Sequence, residues 1–272
     1  MTAAAAPAAA TTARGERSTS WVPVAVALAR RSLVNIFRIP AAFVPLVAMP
    51  VFFVIAFSGS FRSLTQLPQF PTDNILNWMV PFAILQGSAF AGFGTGFGTV
   101  RDIETGFYDR LLLAPGSRAG ILVGPILAGV VRCTITLTVV LAFGVVLGAD
   151  LPGGLLGLLA LWLAAVGVSL VATGWALGLV FRMPDQRAGP VLQLGIFSVM
   201  FLSTGNVPVA AQIGWVKQVA RVNPLTNILE LARQGFLGDV AWSTTWPGLV
   251  AIAGSSAVLW LFAATGLRKL TP

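Results

Sequence analysis

The sequence contains no histidine and a single cysteine, Cys133, set inside an apolar run. Zinc sites built from Cys and His, disulfides within the chain and His-dependent catalysis are therefore excluded. Acidic side chains are scarce as well, nine Asp and Glu against 17 Lys and Arg in 272 residues. Charged residues make up 10% of the chain, well under half of the roughly 25% usual for soluble domains. What is abundant is apolar: 56% of residues, with 29 Gly, 18 Phe and 8 Trp. That is the composition of a chain dissolved in lipid, and as a whole it rules out a disordered chain, a secreted disulfide scaffold and a coiled coil. The net charge of +8 does not point to nucleic acid, because the basic residues sit in short gaps between apolar stretches instead of on a folded polar surface.

A spanning helix needs about 20 residues of low polarity. Six stretches qualify: Ala41 to Ser58, Ile75 to Val100, Ala119 to Leu147 (interrupted by Arg132), Leu155 to Phe181, Ala188 to Ser203 and Pro247 to Leu267. The fifth runs on into an apolar segment broken by Gly and Pro. In the gaps, one side of the membrane collects Arg14, Arg17, Arg30, Arg31, Arg38, Arg101, Arg110, Arg118, Arg182, Arg187, Arg268 and Lys269; the other holds Arg62, Lys217, Arg221 and Arg233. The positive-inside rule then places both termini in the cytoplasm, and an even number of spans agrees.

Residues 1–20, rich in Ala, Thr and Ser, lack a basic segment before the Ala run and read as a disordered cytoplasmic tail, not a signal peptide. From Trp21 to Ile39 the pattern changes. At 100° per residue Arg30, Arg31, Asn35 and Arg38 share one face and Trp21, Val24, Leu28, Leu33 and Ile36 the rest, as in a basic amphipathic helix on the inner leaflet; a cytoplasmic extension of the first span is the alternative. Pro45, Pro50 and Pro81 each remove a helix hydrogen bond and can kink their spans. Gly92 with Gly96, and Gly94 with Gly98, form two overlapping small-xxx-small pairs suited to close helix packing.

The spans contain no Asp or Glu, so a proton relay through buried carboxylates is not supported. Neither lysine lies in a P-loop, which excludes ATP hydrolysis within this chain. Convergent carboxylates, a metal cluster or a nucleophile with its base are equally missing, which argues against a membrane enzyme. Arg132 is the one formal charge within a span and a candidate intramembrane polar site. It either contacts an anionic or polar substrate, or it snorkels to the headgroups or satisfies carbonyls at a helix interface.

Two segments between spans are more informative. After the second span the chain reads from Val100 to Arg118 with a short amphipathic helix expected over Phe107 to Ala114, stopped by Pro115-Gly116. Phe107, Leu111 and Ala114 would lie on one stripe, with Asp109 and Arg110 beside it. From Thr204 to Gly238, Asn223-Pro224 reads as an N-cap followed by Pro at the first helical position, and Gly238 as the stop. Ile228, Leu229, Ala232 and Phe236 form its apolar stripe, and Glu230 and Arg233 are spaced to pair across one turn.

The first of these, with Asp102, Gly106, Asp109, Arg110, Pro115 and Arg118 in order, resembles the cytoplasmic loop of ABC-2 type export permeases, closest to the daunorubicin-resistance-type and nodulation-factor-type members. The second resembles the C-terminal signature of the same family: Ser203 to Gly205, then Pro208, Trp215 and the run Asn223, Pro224, Leu225, Thr226, followed by Arg233 and Gly238. The resemblance covers nearly the whole chain. It implies that Asp102, Glu104, Gly106, Phe107, Asp109, Arg110, Leu111, Pro115 and Arg118 belong to a coupling helix that meets a separate ATPase. It also implies that Ser203, Gly205, Pro208, Asn223, Pro224 and Arg233 belong to short re-entrant helices forming an extracellular gate.

The expected fold is an all-α integral membrane protein: a tail over residues 1–20, then a permease domain over 21–272 with six spans, an N-terminal interfacial helix, a cytoplasmic coupling helix and extracellular re-entrant helices. The expected function is that of the transport subunit of an ATP-driven exporter of an amphiphilic drug or antibiotic. Two permease chains, identical or related, would pair above two ATPase subunits, which bind the ATP and Mg; this chain itself would need no cofactor. Export of a lipid or glycan precursor is the alternative within transport, and a non-transporting membrane scaffold the alternative outside it. Arg outnumbers Lys fifteen to two, which hints at a high-GC bacterium and hence its inner membrane.

Overall fold

The computed structural model describes residues 21–38, 40–68, 70–113, 118–185 and 187–270. Their regular structure is helical, with no strand among the described residues: α1 (Trp21–Arg38), α2 (Pro40–Ser60), α3 (Ile75–Glu104), α4 (Phe107–Leu113), α5 (Arg118–Val146), α6 (Gly154–Val180), α7 (Ala188–Phe201), α8 (Gly214–Val222), α9 (Pro224–Leu237) and α10 (Trp242–Leu270). The expected tail over 1–20 lies outside the described residues. Among the described residues, four helices, Ile75–Glu104, Gly120–Val146, Gly154–Val180 and Trp242–Lys269, are long and apolar enough to cross a membrane.

The other two expected spans fall on α2 and α7. Helix α7 has 14 residues, which at 1.5 Å per residue is about 21 Å, short of a ~30 Å hydrocarbon core. The break after Phe201 follows from Gly205 and Pro208, which deny the helix a regular continuation. Helix α3 is longer than its apolar stretch and runs on to Glu104, so Asp102 and Glu104 stand on its last turn and not in a separate loop.

Helix α3 is the central element and is buried along most of its length. It meets α6 through small residues. A Cβ on Gly92 would lie 2.5 Å from the Cβ of Ala172, and one on Gly96 2.8 Å from that of Ala176, so the two backbones pack as closely as glycine permits. The second pair acts differently. A Cβ at Gly94 would meet the Arg132 guanidinium at 3.2 Å, and at Gly98 it would meet nothing within 4 Å. The expectation of two packing pairs is thus corrected to one, because α6 covers only one face of α3.

The opposite face of α6 carries Gly167, Gly174 and Gly178, which receive Ile252, Leu259 and Phe262 of α10. Helix α1 lies against the start of α5, with Gly120 under Val24 and Gly124 under Leu28, so Ala25 and Ala29 are buried while Trp21, Val22, Val26, Arg30 and Asn35 are exposed. At one end of the bundle Asn74 caps α3 by accepting from Leu76 N at 3.0 Å, and its amide donates to the Gly148 carbonyl at 2.7 Å. Asn77 accepts from Asp150 N at 2.8 Å. The turn joining α5 to α6 is thereby pinned to the start of α3. At the other end Arg182 donates to the carbonyls of Gly178 and Phe262 and to the Thr265 hydroxyl, fastening the ends of α6 and α10 together.

Candidate functional site

At the basic end, the turn between α3 and α4 is made by Gly106 at φ +65°, a left-handed conformation that glycine adopts without steric cost. The reversal lays α4 across the ends of the bundle. Its described side chains fall on two faces. Tyr108 is buried against Phe181 with ring centroids 5.8 Å apart, in a cluster with Ile121, Leu177, Ala263 and Leu267 that gathers the ends of α5, α6 and α10. Asp109 and Arg110 point outward, and Leu113 is 86% exposed. Arg110 Nε donates to the Gly106 carbonyl at 3.2 Å, which holds the guanidinium back along the turn. The helix is fixed by one face and offers the other.

A second fastening comes from α1. Arg31 donates from both terminal nitrogens to the Asp102 carboxylate at 2.6 and 2.7 Å, the bidentate geometry of the stronger ion pairs. The same guanidinium lies 4.0 Å from the centroid of the Phe107 ring. Of the residues expected in the coupling segment, Asp102, Phe107 and Leu111 are part-buried and turned toward the bundle, while Glu104, Asp109 and Arg110 are exposed. Pro115 lies outside the described residues, as does the end of the helix expected at Ala114. Arg118 opens α5.

Tyr108, the key to this arrangement, is not among the residues singled out from the sequence. It is the sole tyrosine of the chain, set in an amphipathic segment, and that singularity was the available signal. Burial raises its pKa above the ordinary phenol value, and the nearby Asp102 charge adds to the rise. Below the unfolded value of roughly pH 10 the phenol is neutral in both states and the docking is fully stable. Above it the unfolded phenol ionises first, so the contribution falls as pH rises. Being unique, the phenolate band reads this site directly: its titration midpoint in the purified protein should lie above that of free tyrosine, and a midpoint at the free value would mean α4 is undocked.

At the far end the residues named from the C-terminal signature converge on Arg233. It is 1% exposed, with Nη1 donating to the Thr204 carbonyl at 2.8 Å, Nη2 to the Gly205 carbonyl at 2.6 Å and Nε to the Trp78 carbonyl at 3.3 Å. The guanidinium carbon sits 3.5 Å from the centroid of the Trp78 ring. The expected pair with Glu230 does not form. Arg233 turns inward to the Trp78 carbonyl of α3 and to the Thr204 and Gly205 carbonyls of the irregular backbone after α7, while Glu230, one turn away on α9, is exposed.

Ser203 and Asn223 organise the same region. The Ser203 hydroxyl donates to the Met200 carbonyl at 2.5 Å and accepts from Gly205 N at 3.2 Å. Asn223 caps α9 by accepting from Leu225 N at 3.0 Å, and its amide donates to the Val199 carbonyl at 2.7 Å, so one side chain ties α9 to α7. Pro224 occupies the first position of α9 and Gly238, at φ +81°, ends it. Pro208 is buried, whereas Trp215 is 65% exposed. Ile228, Leu229, Ala232 and Phe236 are all buried, and α9 itself sits among α6, α10 and α3. Trp78, which stacks on Arg233, is absent from the sequence reading because an aromatic near a span end reads as an interfacial anchor.

Arg132 stands between these ends on α5, 4% exposed. Nη1 reaches the Ala91 carbonyl at 3.4 Å and the Thr95 hydroxyl at 3.2 Å, and Nη2 donates to Ser32 of α1. It therefore joins α1, α3 and α5, and it also lines a cavity of about 910 Å³ that extends to Asp102 and Tyr108.

A probable doxorubicin resistance ABC transporter permease protein of Mycobacterium tuberculosis, DrrC, is 26% identical over 226 residues, 82% of this chain and 80% of that protein. A putative transport permease of Cyanophora paradoxa is 28% identical over 211 residues, 76% of this chain and 71% of the relative. A probable multidrug ABC transporter permease of Escherichia coli, YbhR, is 28% identical over 174 residues, 60% of this chain, and the match spans about half of its length, 46%. Residues 24–237, from α1 through the last turn of α9, match the ABC-2 type transporter family. With that match over most of its length, on an all-helical, multi-pass frame, the chain belongs to the ABC-2 type transporter family.

Proposed function

We propose that this chain is the membrane subunit of an ATP-driven exporter. It crosses the bacterial inner membrane six times, with α2 and α7 as the two spans beyond the four long ones and both termini in the cytoplasm. Two such chains, identical or related, form the pathway, and two separate ATPase subunits, which bind ATP and Mg, dock beneath them. The cargo is an amphiphilic compound, a drug or antibiotic, taken from the cytoplasm or the inner leaflet. An apolar, aromatic-rich bundle suits such a cargo, and two of the similar proteins are named for multidrug and doxorubicin resistance.

The observation that carries the reading is the divided surface of α4. Tyr108 ties it to the ends of α5, α6 and α10, while Asp109, Arg110 and Leu113 face outward as a small charged and apolar patch. A push on that patch reaches the bundle as rigid-body movement, and α3, which continues from Trp78 to Asp102 as one helix, connects it to the Arg233 assembly. Co-expression with a candidate ATPase subunit should yield a complex in which Arg110→Glu lowers export about tenfold or more, the scale of a reversed charge in an interface, with membrane insertion unchanged. Unchanged export in that variant would remove α4 from the coupling role.

A further inference from the structure

The cavity among α1, α3, α4 and α5 has an unbalanced wall. Arg31, Arg101 and Arg132 line it against the single carboxylate of Asp102, and that carboxylate is already held by Arg31. Arg132 is the most buried of the three cations. Its donors go to a carbonyl and two hydroxyls, all neutral, and its Nε has no partner. No acidic side chain lies within 4.0 Å of it among the described residues. A buried cation without a counter-charge is costly, and the cost falls when an anion enters the cavity beside it.

There is room for one. Gly94 keeps α3 clear of the guanidinium, and one turn further Gly98 faces open space. Phe90 and Phe97 stand on the same wall and give an apolar surface beside the charge. We propose that this cavity binds the oxyanion headgroup of an anionic amphiphile: Arg132 pairs a phosphate or carboxylate oxygen, Ser32 and Thr95 fix the guanidinium, and the two phenylalanines line the path of the apolar chain. Planar, multi-donor recognition of this kind is what arginine provides and lysine does not. The inference rests on the membrane placement proposed above but not on ATP coupling. It is read by binding alone, so a chain that binds without exporting overturns the export reading and leaves this one intact.

The test uses the full chain in phosphatidylcholine nanodiscs containing phosphatidylglycerol, with bound lipid read by native mass spectrometry after release. The wild type should retain phosphatidylglycerol in preference to phosphatidylcholine. Arg132→Gln should lower that retention about tenfold or more, the worth of a charged hydrogen bond, with Arg132→Lys intermediate. Gly98→Leu adds a side chain in the open part of the cavity without touching Arg132. It should lower retention while leaving thermal unfolding unchanged, and it keeps the test decisive if Arg132→Gln does not fold. Dodecyl phosphate separates the two sources of the headgroup. Displacement of phosphatidylglycerol by it gives one site for lipid and cargo; resistance to displacement assigns the site to bilayer lipid; Arg132-dependent binding of dodecyl phosphate alone assigns it to cargo. Undiminished retention in either folded variant, or no retention of either probe by the wild type, overturns the proposal.

Discussion

Arg233→Leu is expected to cost more folded protein than any other single substitution at the far end of the bundle. The change leaves the carbonyls of Trp78, Thr204 and Gly205 buried and without their donors and removes the cation stacked on Trp78. Breaking a buried charged assembly of this kind costs about 3–5 kcal/mol, enough to exhaust much of a typical folding margin. Thermal unfolding and yield of detergent-solubilised protein measure it. Arg233→Lys should fall between, since one ammonium cannot serve three carbonyls set in a fork. Glu230→Gln is the control: its carboxylate forms no ion pair with the guanidinium, so its loss should cost far less. A loss from Glu230→Gln equal to that from Arg233→Leu would restore the helix-surface ion pair and sink the inward arrangement.

The second large effect is expected at Gly92. An added methyl there would meet Ala172 Cβ at 2.5 Å and the backbone nitrogen of Thr173 at 2.8 Å, and backbone cannot step aside as a flexible side chain can. Gly92→Ala should therefore force α3 and α6 apart, at the roughly 1–3 kcal/mol typical of overpacking or more. Gly98→Ala is the contrasting case on the same helix. Its methyl meets nothing within 4 Å, and removing a helical glycine is worth roughly 0.5–1 kcal/mol, so stability should be unchanged or slightly raised. Ala172→Gly combined with Gly92→Ala should recover part of the loss, leaving the clash with the Thr173 nitrogen. Equal responses at Gly92 and Gly98 would show that helix propensity, not close packing, decides both.

These glycines illustrate where sequence ends and structure begins. The spacing of Gly92, Gly94, Gly96 and Gly98 defines two candidate packing ridges, but both are equally regular along a helix. Only the position of α6 selects Gly92 and Gly96, leaving Gly94 and Gly98 to line a cavity. The coupling segment behaves alike. Its amphipathic pattern, its Gly turn and its start at Phe107 are readable as local properties, yet the residue that anchors it, Tyr108, is identified by Phe181 and Leu267, which lie far along the chain.

Arg233 makes the same distinction in charge. On α9 alone, Glu230 one turn away is the natural partner, because helix spacing is all that a sequence displays. The alternative acceptors exist only because the backbone breaks after Phe201 and presents the Thr204 and Gly205 carbonyls where α9 can reach them.

What the sequence determined by itself is therefore the solvent and the periodicity. Too few charges to live in water, helical lengths set by a bilayer, caps at Asn223 and Gly238 and the absence of catalytic groups are all local or compositional, and need no fold to be read. What tertiary structure alone decided is which of several equivalent faces each helix turns to its neighbours. Arginine side chains and backbone carbonyls separated by 41 residues, such as Arg132 and Ala91, or by 155, such as Arg233 and Trp78, find each other through the packing of whole helices, and no spacing rule encodes that choice.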